Sequence, residues 1–185
     1  MHVLGLSGSL RAASWNSMLL RALVRIAPPR VQVELYRDIG QLPLFNPDLE
    51  ASDPLPASGL RSRINAADAV VIASPEYAHG VSGVIKNALD WMVGNESFVN
   101  KPVALFNTSP RASHAQAALR ETLQTMSARV VEEACIAVPL LGSGLTEHAI
   151  AGHREIRGVL LAALHALEDA VRCGDKQGSA SFSIG

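Results

Sequence analysis

Cysteine and net charge are both scarce in this sequence, and each shortage argues against a class of protein. Cys135 and Cys173 are the only cysteines among 185 residues, and their spacing fits neither a zinc site nor a CxxC pair. The net charge of −1 gives no electrostatic case for binding nucleic acid or an anionic membrane surface. We therefore expect no metal site, no nucleic-acid or membrane partner, and two free, buried thiols in a reducing cytoplasm.

Long hydrophobic runs are also missing. No apolar stretch reaches the roughly 20 residues that a membrane-spanning helix needs. The first residues, Met1-His2-Val3-Leu4, enter a strand without the basic segment of a signal peptide. Because 48% of the residues are hydrophobic, the chain can still build a full core. We predict one cytoplasmic domain over residues 1–173 and a disordered tail over residues 174–185.

Short apolar runs alternate with segments of helical periodicity. Strands are predicted at 3–7, 31–36, 69–74, 101–107 and within 130–138, and helices at 15–26, 58–66, 82–93, 112–126 and 153–171. This alternation implies an α/β fold with a parallel sheet and right-handed crossovers. Residues 38–57 are rich in proline and lack periodicity, which indicates a long loop at the rim of a site, with Pro43-Leu44-Phe45 packed inward.

The stretch 74–83 joins the third predicted strand to the helix over 82–93. Pro75 stiffens it, and Glu76 and Tyr77 place a carboxylate beside an aromatic ring. In open α/β sheets, ligands bind at the loops that follow the carboxyl ends of strands. The stretch is therefore a candidate ligand loop. The alternative is an ordinary strand-to-helix connection with a buried tyrosine.

The loop after the first strand distinguishes two kinds of parallel sheet. It lacks the G-x-G-x-x-G fingerprint of dinucleotide sites, and the sequence has no Gly-Lys-Ser/Thr of a P-loop. Its hydroxyls, its backbone N–H groups, the following helix N-terminus and Arg11 suit a phosphate instead. A monophosphate here predicts a flavodoxin-like three-layer sandwich with a five-stranded parallel sheet in the order 2-1-3-4-5. Alternatively, the hydroxyls only cap the helix.

Two motifs resemble the NADPH-dependent FMN reductase family, which includes quinone, azo-dye and chromate reductases. They are Gly8–Asn16 and Ser74–Tyr77, the second continuing into Gly83–Trp91, and the resemblance covers about residues 1–140. It implies one FMN per protomer, with the polar loop 107–109 approaching the other edge of the flavin. The implied cofactor-binding residues are Ser9, Arg11, Ser14, Trp15, Asn16, Pro75, Glu76, Tyr77, Ala78 and Ser109.

The same resemblance implies an activity. A hydride passes from NADPH or NADH through FMN to a small quinone-like, azo or metal-oxyanion acceptor, and no side chain is catalytic because FMN carries the chemistry. Backbone N–H groups at 75–79 and at the helix start from Ala112 are expected to stabilise charge on reduced FMN. The alternatives are a flavodoxin-type electron carrier without NAD(P)H turnover, or a flavin-binding protein without turnover. Arg11 and the near-neutral charge argue against the carrier.

Two positions depart from the family pattern. Ala78 stands where many members have asparagine, and residues 110–114 replace glycines found in many members. His79 and His114 are candidates for the acceptor site, with surface histidines as the alternative. Trp91 and Met92 lie on a helix that already has an apolar inner face, which predicts a homodimer or homotetramer with this helix at an interface.

Overall fold

The computed structural model describes residues 1–180 and has alternating strands and helices over that length. The strands are His2–Ser7 (β1), Gln32–Leu35 (β2), Ala69–Ala73 (β3), Glu76–Tyr77 (β4), Gly80–Val81 (β5), Pro102–Asn107 (β6), Arg129–Val130 (β7) and Ile136–Ala137 (β8). The α-helices are Trp15–Ile26 (α1), Leu55–Ala66 (α2), Gly83–Val93 (α3), Ser113–Thr125 (α4), Glu147–Gly152 (α5) and Arg154–Ala180 (α6).

The main sheet is parallel and runs β2-β1-β3-β6, with β7 and β8 both paired to β6. This confirms the predicted order 2-1-3-4-5, but the fifth position holds two short strands instead of one. A 3₁₀ turn at Glu132–Ala134 separates these two short strands. Beside the interruption, the Sγ of Cys135 accepts a hydrogen bond from the backbone N–H of Leu105 at 3.3 Å. A side chain thus replaces part of the backbone ladder there.

The two faces of the sheet carry separate hydrophobic cores. Alternate residues of β3 point to opposite faces, so Val71 packs with α1 and α6 while Val70 and Ile72 pack with α2, α3 and α4. All three side chains are fully buried, which explains the unbroken apolar run of this strand. Helices on both faces confirm the predicted three-layer sandwich.

Several helix boundaries differ from the prediction. α2 begins at Leu55, three residues early, because prolines are tolerated in a first helical turn, where the missing N–H has no intrahelical acceptor. The preceding loop contains 3₁₀ turns at Asp38–Gln41 and Pro47–Ser52. The sequence analysis missed α5, which Thr146 caps by accepting from the N–H of Ala149.

α6 continues past residue 171 to Ala180. Residues 181–185 of the predicted disordered tail lie outside the described residues, and the disorder of residues 174–185 stays a prediction. Within residues 1–180, no helix combines the length and the apolar character needed to cross a bilayer.

Trp91 and Met92 are not surplus apolar surface, so that reason for an interface is wrong. Trp91 is 1% exposed, and its ring meets Phe45 edge-on at 5.2 Å between centroids. Its Nε1 donates to the carbonyl of Pro43 at 2.8 Å. The proline-rich loop therefore folds back over α3 and covers the tryptophan. Phe45 packs inward as predicted, but Leu44 between these contacts is 83% exposed.

Both cysteines are free, as predicted, but neither is fully buried. Cys135 is half-buried and Cys173 is exposed on α6. Burial raises the pKa of the Cys135 thiol, with the neighbouring Glu132 carboxylate acting in the same direction. In the part of the chain that the structure describes, no group of three or more His, Cys, Asp or Glu side chains is placed to hold a metal ion.

Candidate functional site

A cavity of about 290 Å³ lies at the carboxyl ends of β1, β3 and β6. This volume is near the lower end of small-molecule sites, which span roughly 300–1,000 Å³. Three loops form its walls, one after each strand. The lining includes all the predicted cofactor-binding residues except Ala78, namely Ser9, Arg11, Ser14, Trp15, Asn16, Pro75, Glu76, Tyr77 and Ser109.

The N-terminus of α1 opens into one end of this cavity. The hydroxyl of Ser14 caps the helix by accepting from the N–H of Ser17 at 3.4 Å, so the capping alternative is correct for this residue. Within residues 1–180, no protein group accepts from the N–H of Trp15 or Asn16. These two donors sit at the positive end of a 12-residue helix dipole, beside the exposed Arg11. This end of the cavity therefore suits an anion.

Gly8 lets the first loop lie against the end of β3. A Cβ at this position would stand 2.3 Å from the Oγ of Ser74 and 2.9 Å from the Cγ1 of Ile85. The N–H of Gly8 also donates to the carbonyl of Ala73 at 2.8 Å. Close backbone approach, and not a positive φ, explains the glycine in the motif.

Asn16 ties the first loop to the loop after β6. The hydroxyl of Thr108 donates to the Oδ1 of Asn16 at 3.1 Å, and both side chains are buried. The predicted contact residue Asn16 therefore also has a structural role. Its bond to Thr108 fixes the wall formed by Asn107–Ser109, which brings this polar loop to the cavity as predicted.

Leu141 lines the cavity although the sequence analysis did not predict it there. The backbone N–H of Leu140 donates to the carbonyl of Thr108 at 3.0 Å, which carries the following residue to the cavity mouth. Leu141 is exposed, and two glycines with positive φ, Gly142 and Gly144, follow it. The sequence signal for Leu141 was an apolar residue followed closely by two glycines. That pattern indicates a loop but does not predict that the loop reaches the cavity.

Glu76–Tyr77 and Gly80–Val81 form a small antiparallel hairpin that the sequence analysis did not predict. Its turn consists of Ala78 and His79, with φ of 49° and 60°. Positive φ at both central residues is the mark of a type I′ turn, which is a favoured connection for a two-residue hairpin. Ala78 lies at the exposed tip of this turn and is absent from the cavity lining, and its contact with FMN stays a prediction.

The carboxylate of Glu76 reaches the N-terminus of α4. Its Oε2 accepts from the N–H of Ala115 at 2.8 Å, and α4 has no side-chain cap of its own from Ala112. The Oε1 of Glu76 lies 3.4 Å from the Nδ1 of His79, whose ring meets His114 edge-on. The expectation that the start of α4 offers its N–H groups to a ligand is therefore wrong for Ala115, which already has an acceptor.

Tyr77 borders the cavity and is 62% exposed, so the alternative of a buried core aromatic is wrong. Arg111 also lines the cavity from the loop after β6, and it is exposed. Lys86 and Asp90 form the expected ion pair on α3 at 2.5 Å. They are not among the lining residues, in agreement with a structural role.

A larger open groove of about 1,030 Å³ runs beside β2 and shares Ser9 and Arg11 with the first cavity. Three of its four other arginines, Arg21, Arg25 and Arg63, already form ion pairs with carboxylates. Arg21 and Arg25 both contact Glu147, at 2.5 and 2.8 Å, and their hydrogen bonds lower the pKa of that carboxyl. The smaller cavity is the better candidate site because its helix N-terminus has free donors.

Comparison with known proteins agrees with this geometry. Residues 1–140 match the family model described as NADPH-dependent FMN reductase. The chain is 42% identical over 129 residues to an NAD(P)H-dependent FMN reductase of Pseudomonas aeruginosa, covering 66% of this chain and 69% of that one. It is 34% identical over 140 residues to a quinone reductase of Escherichia coli, covering 72% of this chain and 74% of that one.

Solved structures show the same architecture. The flavoenzyme NAD(P)H:(acceptor) oxidoreductase FerB of Paracoccus denitrificans superposes with a TM-score of 0.79 at 30% identity, covering 91% of this chain and 98% of that one. A mutant flavodoxin of Pseudomonas aeruginosa superposes with a TM-score of 0.56 at 12% identity, covering 88% of this chain and 99% of that one. The second likeness concerns the fold alone.

Proposed function

Because the chain belongs to the NADPH-dependent FMN reductase family, we propose that its cavity holds FMN and serves NAD(P)H-dependent reduction of a small quinone-like acceptor. Azo compounds and metal oxyanions are further candidate acceptors. The family match confirms the resemblance found in the two sequence motifs, and with it an oxidoreductase that depends on NAD(P)H and FMN.

The residues at the two ends of the cavity fit the two ends of FMN. The free N–H groups of Trp15 and Asn16, together with Ser9 and the guanidinium of Arg11, would hold the phosphate. Pro75, Glu76 and Tyr77 on one wall and Ser109 on the other would border the isoalloxazine. When bound, FMN supplies hydride transfer between the nicotinamide and the acceptor.

The chain's own residues hold the cavity walls in place. The Asn16–Thr108 bond and the Glu76–Ala115 bond fix the three loops relative to one another, so the walls are set before a ligand enters. Tyr77 and Leu141 add apolar surface at the mouth, where it reduces access of water to a bound ring.

The anion-binding end of the cavity carries this proposal, because two free helix N-terminal donors lie beside an arginine. The arginine at this end also argues against the alternative of a flavodoxin-type electron carrier. Flavodoxin-type phosphate loops are usually rich in Ser and Thr without arginine, and such carriers are acidic, whereas this chain has Arg11 and a net charge of −1. The enzyme is therefore favoured.

We expect the purified protein to be yellow with FMN and to oxidise NADPH or NADH when a quinone is added. The measurement is the visible spectrum during anaerobic titration with NADPH, followed by addition of menadione. Bleaching and then recovery of the flavin absorbance support the proposal. A colourless protein that gains no bound flavin from added FMN would contradict it.

A homodimer or homotetramer is also proposed, but no longer because of Trp91 and Met92, which are buried. With Trp91 buried, the exposed apolar side chains near α3 are Val93 at its end and Leu44 on the loop that covers it. The proposal requires these side chains to lie in one patch that a partner chain covers, because single exposed apolar residues are normal on monomers. Sedimentation velocity at micromolar concentration is expected to show a species larger than 19.6 kDa. A monomer across the concentration range would contradict it.

We place the protein in the cytoplasm, where two free thiols stay reduced.

A further inference from the structure

The turn between β4 and β5 keeps side chains where glycine or asparagine is favoured. Ala78 and His79 both have positive φ, and type I′ turns prefer Asn-Gly at these two positions. An imidazole at the second position is therefore held against a local backbone preference. Such residues persist where surrounding contacts compensate, and they occur preferentially at functional sites.

Two side chains, those of Glu76 and His114, contact the ring of His79. Its Nδ1 lies 3.4 Å from the Oε1 of Glu76, and the other oxygen of that carboxylate is anchored by the N–H of Ala115. The ring of His114 meets it edge-to-face, with centroids 4.4 Å apart and an interplanar angle of 81°. A carboxylate this close to Nδ1 favours a hydrogen on that nitrogen, which leaves Nε2 for another partner.

The side chain of His79 is nevertheless 76% exposed. The ring contacts Glu76, which lines the cavity, and His79 follows the lining residue Tyr77 by two positions, although His79 itself is not among the lining residues. The titratable groups in contact with it are Glu76 from its own hairpin and His114 from α4. This arrangement combines an oriented imidazole with free exchange of protons with solvent.

We propose that His79 is the proton donor to the acceptor during its two-electron reduction. This inference rests on the proposed function, since it concerns an acceptor at the same cavity. Addition of a hydride to a quinone gives a hydroquinone monoanion, which needs one proton to become the hydroquinone. The Nε2–H bond of the His79 imidazolium breaks, its proton bonds to the anionic oxygen, and the neutral imidazole regains a proton from water. Glu76 is the positioning residue that keeps Nε2 available.

The test uses His79→Gly in the flavin-loaded protein. Glycine suits a φ of 60°, so the variant is expected to fold and to melt at the same or a higher temperature. Its turnover with menadione should fall about 100-fold, the lower end of the range for general acid catalysis. Its turnover with ferricyanide should stay within about twofold, because ferricyanide accepts single electrons and no proton.

Added imidazole provides a second readout. Because position 79 is exposed, free imidazole can reach the space of the lost ring, and it should restore menadione turnover in His79→Gly but not change ferricyanide turnover. His153→Gly removes another exposed histidine, outside the cavity lining, and is the matched control that should behave as wild type. Nitrogen-15 NMR should find that the neutral fraction of His79 in the wild-type protein carries its hydrogen on Nδ1.

Three results would overturn the inference. One is unchanged menadione turnover in His79→Gly, and another is an equal loss with menadione and ferricyanide. The third is a dominant Nε2–H tautomer, which would show that Glu76 does not orient the ring. Failure of the proposed function looks different, because wild-type protein would then reduce neither acceptor with NADPH.

Discussion

Arg11→Ala is expected to weaken FMN binding by roughly 10- to 150-fold. The guanidinium is exposed at the anion-binding end of the cavity, where it can meet a phosphate dianion. A hydrogen bond to a charged group contributes about 1.5–3 kcal/mol, and each 1.4 kcal/mol corresponds to tenfold in affinity. The measurement is a fluorescence titration of the flavin-free protein with FMN.

Riboflavin separates a phosphate contact from a general effect on the loop. It lacks the phosphate, so Arg11→Ala should change its affinity little. Arg37→Ala is the matched control, because Arg37 is also an exposed arginine but lines only the larger groove beside β2. Equal losses for FMN and riboflavin would show that Arg11 acts through the loop backbone. Unchanged FMN affinity with a raised KM for NADPH would assign Arg11 to the pyridine nucleotide instead.

Trp91→Ala is expected to reduce the free energy of unfolding by about 3–5 kcal/mol, the range for deleting a large buried aromatic side chain. The ring is buried, packs edge-on against Phe45 and donates to the carbonyl of Pro43. For a chain of this size the loss corresponds to roughly 6–20 °C in melting temperature. Urea unfolding followed by circular dichroism measures it.

Trp91→Phe is the matched control for the aromatic ring. It keeps most of the buried area and loses the Nε1–H donor, but the carbonyl of Pro43 still accepts from the Nδ2 of Asn87 at 3.0 Å. We therefore expect a loss of only about 1 kcal/mol, as for one hydrogen bond. A loss below about 1 kcal/mol for Trp91→Ala would contradict the view that the proline-rich loop is held to α3 by this side chain.

The sequence alone was enough for the fold class, the strand order and the family. Each of these rests on local information. The unbroken apolar run of β3 predicts burial on both faces, and the absence of G-x-G-x-x-G and P-loop patterns favours a flavodoxin-like sheet order over the alternative nucleotide-binding order. The two motifs were sufficient to identify the family, because they lie in one loop and one strand–loop–helix segment.

Contacts between residues distant in sequence decided the rest. The helical pattern alone predicts that Trp91 is exposed. Its burial depends on contacts with Pro43 and Phe45, which lie more than 40 residues earlier in the chain. Glu76 gave no sign of capping α4, since its acceptor role depends on Ala115, 39 residues away. The bond between Thr108 and Asn16 joins residues 92 positions apart.

The physical reason is the same in each case. Periodicity and turn chemistry report which face of an element is buried, because those preferences act between residues within a few positions of each other. They contain no information on which distant side chain will satisfy a buried polar group or cover an apolar one. The sequence by itself therefore determined the parallel sheet, its order and the loops that meet at its edge. Only the tertiary structure decided that Glu76 would hold His79 and α4 together at the cavity mouth.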